Sequence, residues 1–375
     1  MSLSESQEPD PLHDGRAAAA EAGLTYFSPD SRGISRRRAG RGFSYRNPDG
    51  APIEDAATLA RIASLAIPPA WREVWICPDP DGHIQAWGHD AAGRKQYRYH
   101  PEFRRRREEA KFHHLIAFAR GLPAVREKVA AAMHRPGLGR EKVLATVVYL
   151  LETTMIRVGN REYARSHHSF GLTTLENEHV LAEGGELKFQ FTGKSGKPWR
   201  LGIRDRRVAR IVRACQELPG QHLFEYRDDA GAIHAVTSGD VNAWLHEATG
   251  ADITAKDFRT WAGTVLAARL LHESDRPATA AAFKRQLAAT IRDVSAKLGN
   301  TPAICRKGYI HPQVQSRWLA GGLDLAPHWP ADPAKDGTGG LRAEEVAVLA
   351  FLQAVEALDA GKSDRGAAAA ALRAA

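Results

Sequence analysis

The sequence predicts an α+β protein of two domains, a small mainly β domain followed by a larger, mainly α-helical domain that carries a β-hairpin. Three observations lead there. The chain has 375 residues, more than one hydrophobic core ordinarily supports. From 24 to 100 the apolar residues come in short bursts separated by Gly, Pro and Asp, at Leu24 to Phe27, Val74 to Cys77, His83 to Trp87 and Gln96 to Tyr99, which is strand spacing. After Pro101 the texture changes to long runs with apolar residues three and four apart, which is helix spacing.

Taken in order, residues 1–20 are polar, carry Glu5, Glu8, Asp10 and Asp14, and end in an alanine run, so a disordered arm is expected. Residues 21–101 form the β-rich domain, interrupted by a helical pattern near Ala56 to Ala66. Residues 102–319 form the α-helical domain, with helices expected at about 102–119, 122–134, 140–157, 205–217, 239–248, 255–272 and 277–298. Leu144, Val147, Val148, Leu151, Thr154 and Met155 mark the buried face of the third of these. Glu186 to Thr192 and Pro198 to Ile203 flank a Gly-Lys-Ser-Gly-Lys turn, so Lys194 is expected at the tip of a hairpin. Residues 320–375 read as a Gly-, Pro- and Asp-rich linker, an amphipathic helix at about 342–359 and a weakly ordered alanine-rich tail.

The formal net charge of +8 favours a polyanionic partner, and the distribution of charge sharpens this. Residues 31–48 contain Arg32, Arg36, Arg37, Arg38, Arg41 and Arg46 with no acid. Residues 94–107 add Arg94, Lys95, Arg98 and Arg104 to Arg107 against a single Glu102. Aromatics interleave with these charges at Phe43, Tyr45, Tyr97 and Tyr99, a pattern that suits phosphate contact better than a plain solvated loop. Arg36, Arg37 and Arg38 are the candidates on the first stretch. Cys77, Cys215 and Cys305 are scattered and lack ligand spacing, so neither a disulfide framework nor a zinc site is expected. No run approaches the ~18 apolar residues of a membrane span and no secretory leader pattern opens the chain, so a cytoplasmic, nucleoid-associated protein is expected.

The segment from Lys297 to Pro312, Lys-Leu-Gly-Asn-Thr-Pro-Ala-Ile-Cys-Arg-Lys-Gly-Tyr-Ile-His-Pro, places Tyr309 nine positions after Asn300. A tyrosine that attacks a phosphodiester needs hydrogen-bond donors around the phosphorus, where charge builds on the non-bridging oxygens. Upstream, Lys256-Asp-Phe-Arg-Thr-Trp261 offers Arg259, Thr154-Met-Ile-Arg-Val-Gly-Asn160 offers Arg157 and Phe191-Thr-Gly-Lys-Ser-Gly-Lys197 offers Lys194. Singly, each has an ordinary reading. Gly-Tyr-Ile is how a buried strand begins, Arg259 reads as an exposed helical arginine, and Arg157 ends a helix whose C-terminus favours a cation. Lys194 reads as a solvated hairpin lysine; a nucleotide-binding loop would need glycine at position 188, which is lysine. Thr254 and Asp257 look like a capping box ahead of Arg259, with Phe258, Ala262, Val265 and Leu266 as the inward face.

In that order, Arg, Lys, Arg, Asn and Tyr, the chain resembles the type IB DNA topoisomerases of the small poxviral and bacterial kind, from about Gly23 to Pro312. The resemblance implies two domains clamping duplex DNA, with Arg157 and Arg259 on the scissile phosphate. Tyr309 is then the nucleophile that forms a 3′-phosphotyrosyl link, and Lys194 is the general acid for the departing 5′ oxygen. Asn300 stands where poxviral members have histidine and bacterial ones commonly have asparagine; it keeps an N–H donor and loses the titration near neutrality. Gln96, Tyr97, Tyr163 and Lys256 match positions that touch DNA. The implied reaction uses no cofactor, metal or ATP, and a monomer with no obligatory protein partner is expected. The rivals are a tyrosine recombinase, which shares the Arg, Lys, Arg and Tyr set, and a basic DNA-binding protein without chemistry. Against the first, Arg259 is followed by Thr-Trp-Ala-Gly and not by a histidine-rich signature, and the N-terminal domain reads as β.

Overall fold

The computed structural model describes residues 15–330 and 340–374, apart from 29 and 92. The expected arm over residues 1–14, and residues 331–339 of the expected linker, lie outside the described residues. The chain divides into two compact units between Phe112 and His113.

The first unit is built on an antiparallel sheet. It contains α1 (Gly15–Glu21), β1 (Ile34–Ala39), β2 (Gly42–Arg46), α2 (Ala56–Ser64), β3 (Arg72–Ile76), β4 (Ile84–His89), β5 (Lys95–Tyr99) and the start of α3 (Pro101–His134), with sheet order β2-β1-β3-β4-β5. Residues 15–20, expected in the disordered arm, are helical, and Ala19 is buried. Alternation along β3 sends Val74 and Ile76 to one face and Trp75 and Cys77 to the other. The first face meets Ile62 of α2, a helix started by Asp55, whose carboxylate accepts the Thr58 N–H at 2.7 Å. The second face is aromatic, with Phe27, Trp87, Tyr97 and Tyr99 around Trp75.

The second unit is mainly helical, as the periodicity predicts. Its elements are α4 (Arg140–Thr154), α5 (Arg161–His167), β6 (Val180–Glu183), β7 (Glu186–Gly193), β8 (Lys197–Arg204), α6 (Arg206–Gln216), β9 (Glu225–Arg227), β10 (Ile233–Ala235), α7 (Ser238–Thr249), α8 (Ala255–His272), α9 (Ala280–Leu298), α10 (Pro302–Gly308), α11 (Pro312–Leu319) and α12 (Ala343–Ala374). β6, β7 and β8 form one antiparallel sheet, and the β7–β8 hairpin carries Lys194 in its turn. Thirteen of the eighteen residues of α8 are buried, so α8 is the central helix of this unit and not an amphipathic surface helix.

Three further expectations need correction. The helices expected at 102–119 and 122–134 are one helix, α3, which passes through Gly121 and Pro123. The local costs, about 1 kcal/mol for glycine and about 3 for proline, are offset by burial of Leu115, Phe118, Leu122 and Val125 along its length. Gly121 serves packing here, since a Cβ on it would stand 2.9 Å from Ile253. The helix expected at 140–157 stops at Thr154, because Met155 adopts the left-handed conformation (φ 57°, ψ 17°). At the C-terminus, the helix expected at 342–359 continues to Ala374, through what the sequence reads as a weakly ordered tail. Its buried stripe Glu345, Val348, Leu352 and Val355 seats it on this unit.

Candidate active site

Tyr309 is the C-cap of the short helix α10, not the start of a strand. Thr301 begins that helix by accepting from the Ile304 N–H, and Pro302 fits its first turn. The tyrosine is backed by α8. Gly263 lies so close that a Cβ there would stand 2.5 Å from the Tyr309 carbonyl oxygen, while Thr264 Oγ1 donates to that carbonyl at 3.4 Å and accepts the His311 N–H at 3.1 Å. These two residues, one turn beyond Arg259, hold the Tyr309 main chain.

The same helix buries Arg259, which is 3% exposed, not solvent-facing as its sequence position suggests. Its Nη2 donates to the Leu298 carbonyl at 2.5 Å and its Nη1 to the carbonyl of Met155, the left-handed residue that ends α4. Its guanidinium carbon sits 5.3 Å from the centre of the Tyr309 ring. Arg157 lies beyond the helix end, on a segment whose carbonyl accepts the Leu172 N–H at 2.9 Å, so its charge is not spent on a helix C-terminus. Tyr309 acts electrostatically on both guanidiniums, favouring their charged forms.

Electrostatically the site is unbalanced. No carboxylate pairs with Arg157 or Arg259 among the described residues. Burial, and then repulsion from Arg157, push the Arg259 guanidinium down to about 10, with Tyr309 pulling weakly the other way. Burial also lowers Arg157. Asn300 joins them, its Oδ1 accepting from Arg157 Nη2. A guanidinium can only donate, so this bond fixes the orientation of the amide and makes Nδ2 its open end. Asn300 Nδ2 and Arg259 Nε are both buried without a hydrogen-bond partner. Buried donors are nearly always satisfied, so these two, among nine such side-chain atoms of the described residues, are open to an acceptor.

Lys194 is exposed in the hairpin turn, with Nζ 5.9 Å from the centre of the Tyr163 ring. Two of the sequence-predicted residues thus meet there. Tyr163 itself is 40% exposed on α5, a helix capped by Asn160, which accepts the Tyr163 N–H at 3.1 Å. Lys256 is exposed in the first turn of α8, and the expected Thr254–Asp257 capping box is present. Among the described residues one trio of possible metal ligands, Glu176, Glu178 and His179, lies together, but His179 Nδ1 already accepts the Glu176 N–H.

A profile of the eukaryotic DNA topoisomerase I catalytic core matches residues 100–318, and one of the bacterial DNA topoisomerase IB N-terminal domain matches residues 42–90. The chain is also 30% identical over 285 residues to DNA topoisomerase 1B of Acanthamoeba polyphaga mimivirus, spanning 74% of this chain and 85% of that protein. The chain belongs to the type IB DNA topoisomerases. It is therefore an isomerase that acts on DNA, and no helix among the described residues is long and apolar enough to cross a membrane.

In the first unit of this topoisomerase, the residues expected on DNA divide into two kinds. Arg37 and Arg38 are exposed on β1. Arg36 is engaged, since its guanidinium donates to the carbonyls of Ile67 (3.4 Å), Pro68 (3.2 Å) and Trp71 (2.7 Å) and lies 4.1 Å from the centre of the Phe43 ring. Its place on the Ile34 side of the strand puts it on the α2 face, and it reads as a structural cation. Gln96 donates to Asp90 at 3.1 Å. Tyr97 is half-buried in the aromatic face, stacked on Tyr99, with Lys95 Nζ 4.1 Å above Trp87. Of the second basic stretch, Arg94 pairs with Asp90, and Arg105 and Arg106 share Glu102.

Proposed function

We propose that this enzyme relaxes supercoiled DNA through a transient 3′-phosphotyrosyl intermediate, with Tyr309 as nucleophile, Arg157, Arg259 and Asn300 as phosphate donors and Lys194 as general acid. The observation that carries this reading is the pair of orphaned buried donors, Asn300 Nδ2 and Arg259 Nε, in a cluster where the Arg259 guanidinium lies against the Tyr309 ring and Arg157 holds Asn300. A phosphodiester supplies the missing acceptors. The two flanking charges favour the phenolate as it develops, and the donors meet the charge that builds on the non-bridging oxygens.

In the forward step Tyr309 gives its phenolic proton to water, its oxygen bonds to phosphorus, the bond from phosphorus to the bridging 5′ oxygen breaks, and the leaving oxygen takes a proton from Lys194, which resealing returns. An unprotonated alkoxide leaves poorly, so this transfer is worth ~10²- to 10⁴-fold. The broken strand rotates under torque, and the 5′ hydroxyl then attacks the phosphotyrosine and reseals the strand. One phosphodiester replaces another, so the proposed chemistry draws on neither ATP nor a metal. Gln96, Tyr97, Tyr163, Lys256, Arg37 and Arg38 hold the duplex in this reading.

The test pairs plasmid relaxation without ATP with the Tyr309→Phe variant. The variant should form no denaturation-resistant DNA adduct yet bind duplex within a few-fold of the parent, because one oxygen is removed and every cation remains. A normal adduct yield would remove Tyr309 from the role, and strand exchange in place of relaxation would make the enzyme a recombinase.

A further inference from the structure

Lys194 and Asn300 lie on separate elements, and each directly follows a glycine. Both glycines abut the same side chain. A Cβ on Gly193 would stand 2.6 Å from Trp199 Cδ1 and Nε1, and a Cβ on Gly299 would stand 2.6 Å from Trp199 Cζ2. The pyrrole edge of the indole thus meets the residue before Lys194, and the benzo edge meets the residue before Asn300. Trp199 belongs to β8, the outgoing strand of the hairpin, and is 9% exposed. Phe191, its partner across the ladder, stacks on it at 6.0 Å with planes 3° apart, which fixes the indole plane.

The two glycines are informative in different ways. Gly299 has φ +63° at the end of α9, where glycine is favoured by conformation alone. Gly193 has φ −95° and ψ −170°, extended backbone open to any residue, so conformation does not call for glycine there. Close approach of the indole does. Trp199 also lines an open cleft of ≈390 Å³ together with Met155, Lys197 and Gly299 among others. Another tie near the tip is the Phe170 N–H donating to the Thr192 carbonyl at 2.8 Å.

We infer that Trp199 is a positioning residue that sets the Lys194 hairpin tip against the Gly299–Asn300 corner, and so registers the proton donor on the group that holds the non-bridging oxygens. The inference rests on the proposed role of Lys194 as general acid. Loss of the indole leaves Tyr309, Arg157 and Arg259 in place and displaces the lysine. A misplacement on the scale of 1 Å can cost ~10²-fold in rate.

The experiment measures single-turnover cleavage by the full chain on ordinary duplex DNA and on DNA with sulfur in place of the bridging 5′ oxygen, a leaving group that needs no proton. Trp199→Leu should cleave ordinary DNA about 10- to 10²-fold slowly and return to within a few-fold of the parent on the sulfur substrate, with Lys194→Ala showing the same pattern at larger amplitude. Trp199→Phe should restore part of the rate, and Gly193→Ala, which keeps the backbone and pushes the indole, should show the same selective defect. Thermal melting separates these effects from unfolding. If Trp199→Leu folds poorly, Gly193→Ala and Trp199→Phe decide. Rescue of Lys194→Ala without rescue of the Trp199 and Gly193 variants, or parental rates for them on ordinary DNA, overturns the inference alone. No rescue of Lys194→Ala overturns the acid role and the inference with it.

Discussion

Two arginine clusters in the second unit, one around the partly buried Arg126 and one around the buried Arg259, show opposite solutions to one problem. Arg126 of α3 reaches Glu152 of α4 at 2.6 Å and Glu345 of α12 at 2.8 Å, and Arg342 adds a second cation 2.9 Å from Glu152. Two guanidiniums meet two carboxylates, and Trp261 Nε1 donates to Glu345 at 3.3 Å. Burial alone would lower Arg126, but Glu345 and Glu152 outweigh it and hold the guanidinium above its ordinary value. At the candidate active site, two guanidiniums meet no carboxylate among the described residues, and both are pushed down. The first cluster is neutralised by the protein; the second meets no carboxylate among the described residues, as the proposed phosphate-binding role requires. Trp261 and Arg259 are two residues apart on α8, so one helix serves both.

The largest effect that could break this comparison is on stability. Arg126→Ala leaves Glu345, 3% exposed, short of its main partner, and removing one member of a buried ion pair costs about 3–5 kcal/mol. Arg157→Ala should cost clearly less, because the missing hydrogen bond to Asn300, about 1 kcal/mol, is offset by relief of its repulsion on Arg259. Its penalty should appear in cleavage. Equal drops in melting temperature for the two variants would mean that the active-site cations are structural.

Next in size is Asn300. Ala in its place removes the oriented Nδ2 donor and should slow cleavage roughly 10²-fold, the usual scale for removal of one oxyanion donor. His can still donate an N–H and should retain much of the rate at neutral pH, with a pH dependence that the asparagine enzyme lacks. A harmless Asn300→Ala would reduce the residue to a prop for Arg157.

The two-domain texture is legible in the sequence because periods of two and of 3.6 differ strongly, and the hairpin is legible because a Gly-rich turn sits between alternating strands. Less visible are features set by neighbours distant in sequence. Nothing at Met155 announces a left-handed residue, so the periodicity carries Arg157 to a helix end that it does not occupy. An amphipathic pattern read onto α8 puts Arg259 on a surface, whereas burial on nearly all sides leaves no face to distinguish. Gly263 and Thr264 follow Arg259 closely, yet only the fold shows that they meet Tyr309, and the approach of Trp199 to Gly299 joins residues 100 positions apart. Arg36 is different, because its signal is present in the sequence. It stands two residues from Ile34 on a strand, and period two puts it on the core face.

That distinction yields the smallest and most discriminating expectation. Arg37 and Arg38 are exposed, and binding either to a DNA phosphate releases counterions, so their joint replacement by Ala should flatten the log–log salt dependence of binding by up to about 0.9 for each phosphate no longer neutralised. Arg36→Ala should act elsewhere. It strips donors from the Ile67, Pro68 and Trp71 carbonyls, each of which then has to find water or strain, and about 1–3 kcal/mol of stability is at stake. Binding isotherms over a range of salt, set beside melting of the same variants, separate the two roles. A flattened slope with unchanged melting for Arg36→Ala would return that residue to the DNA surface, and an unchanged slope for the Arg37 and Arg38 pair would make β1 a bystander.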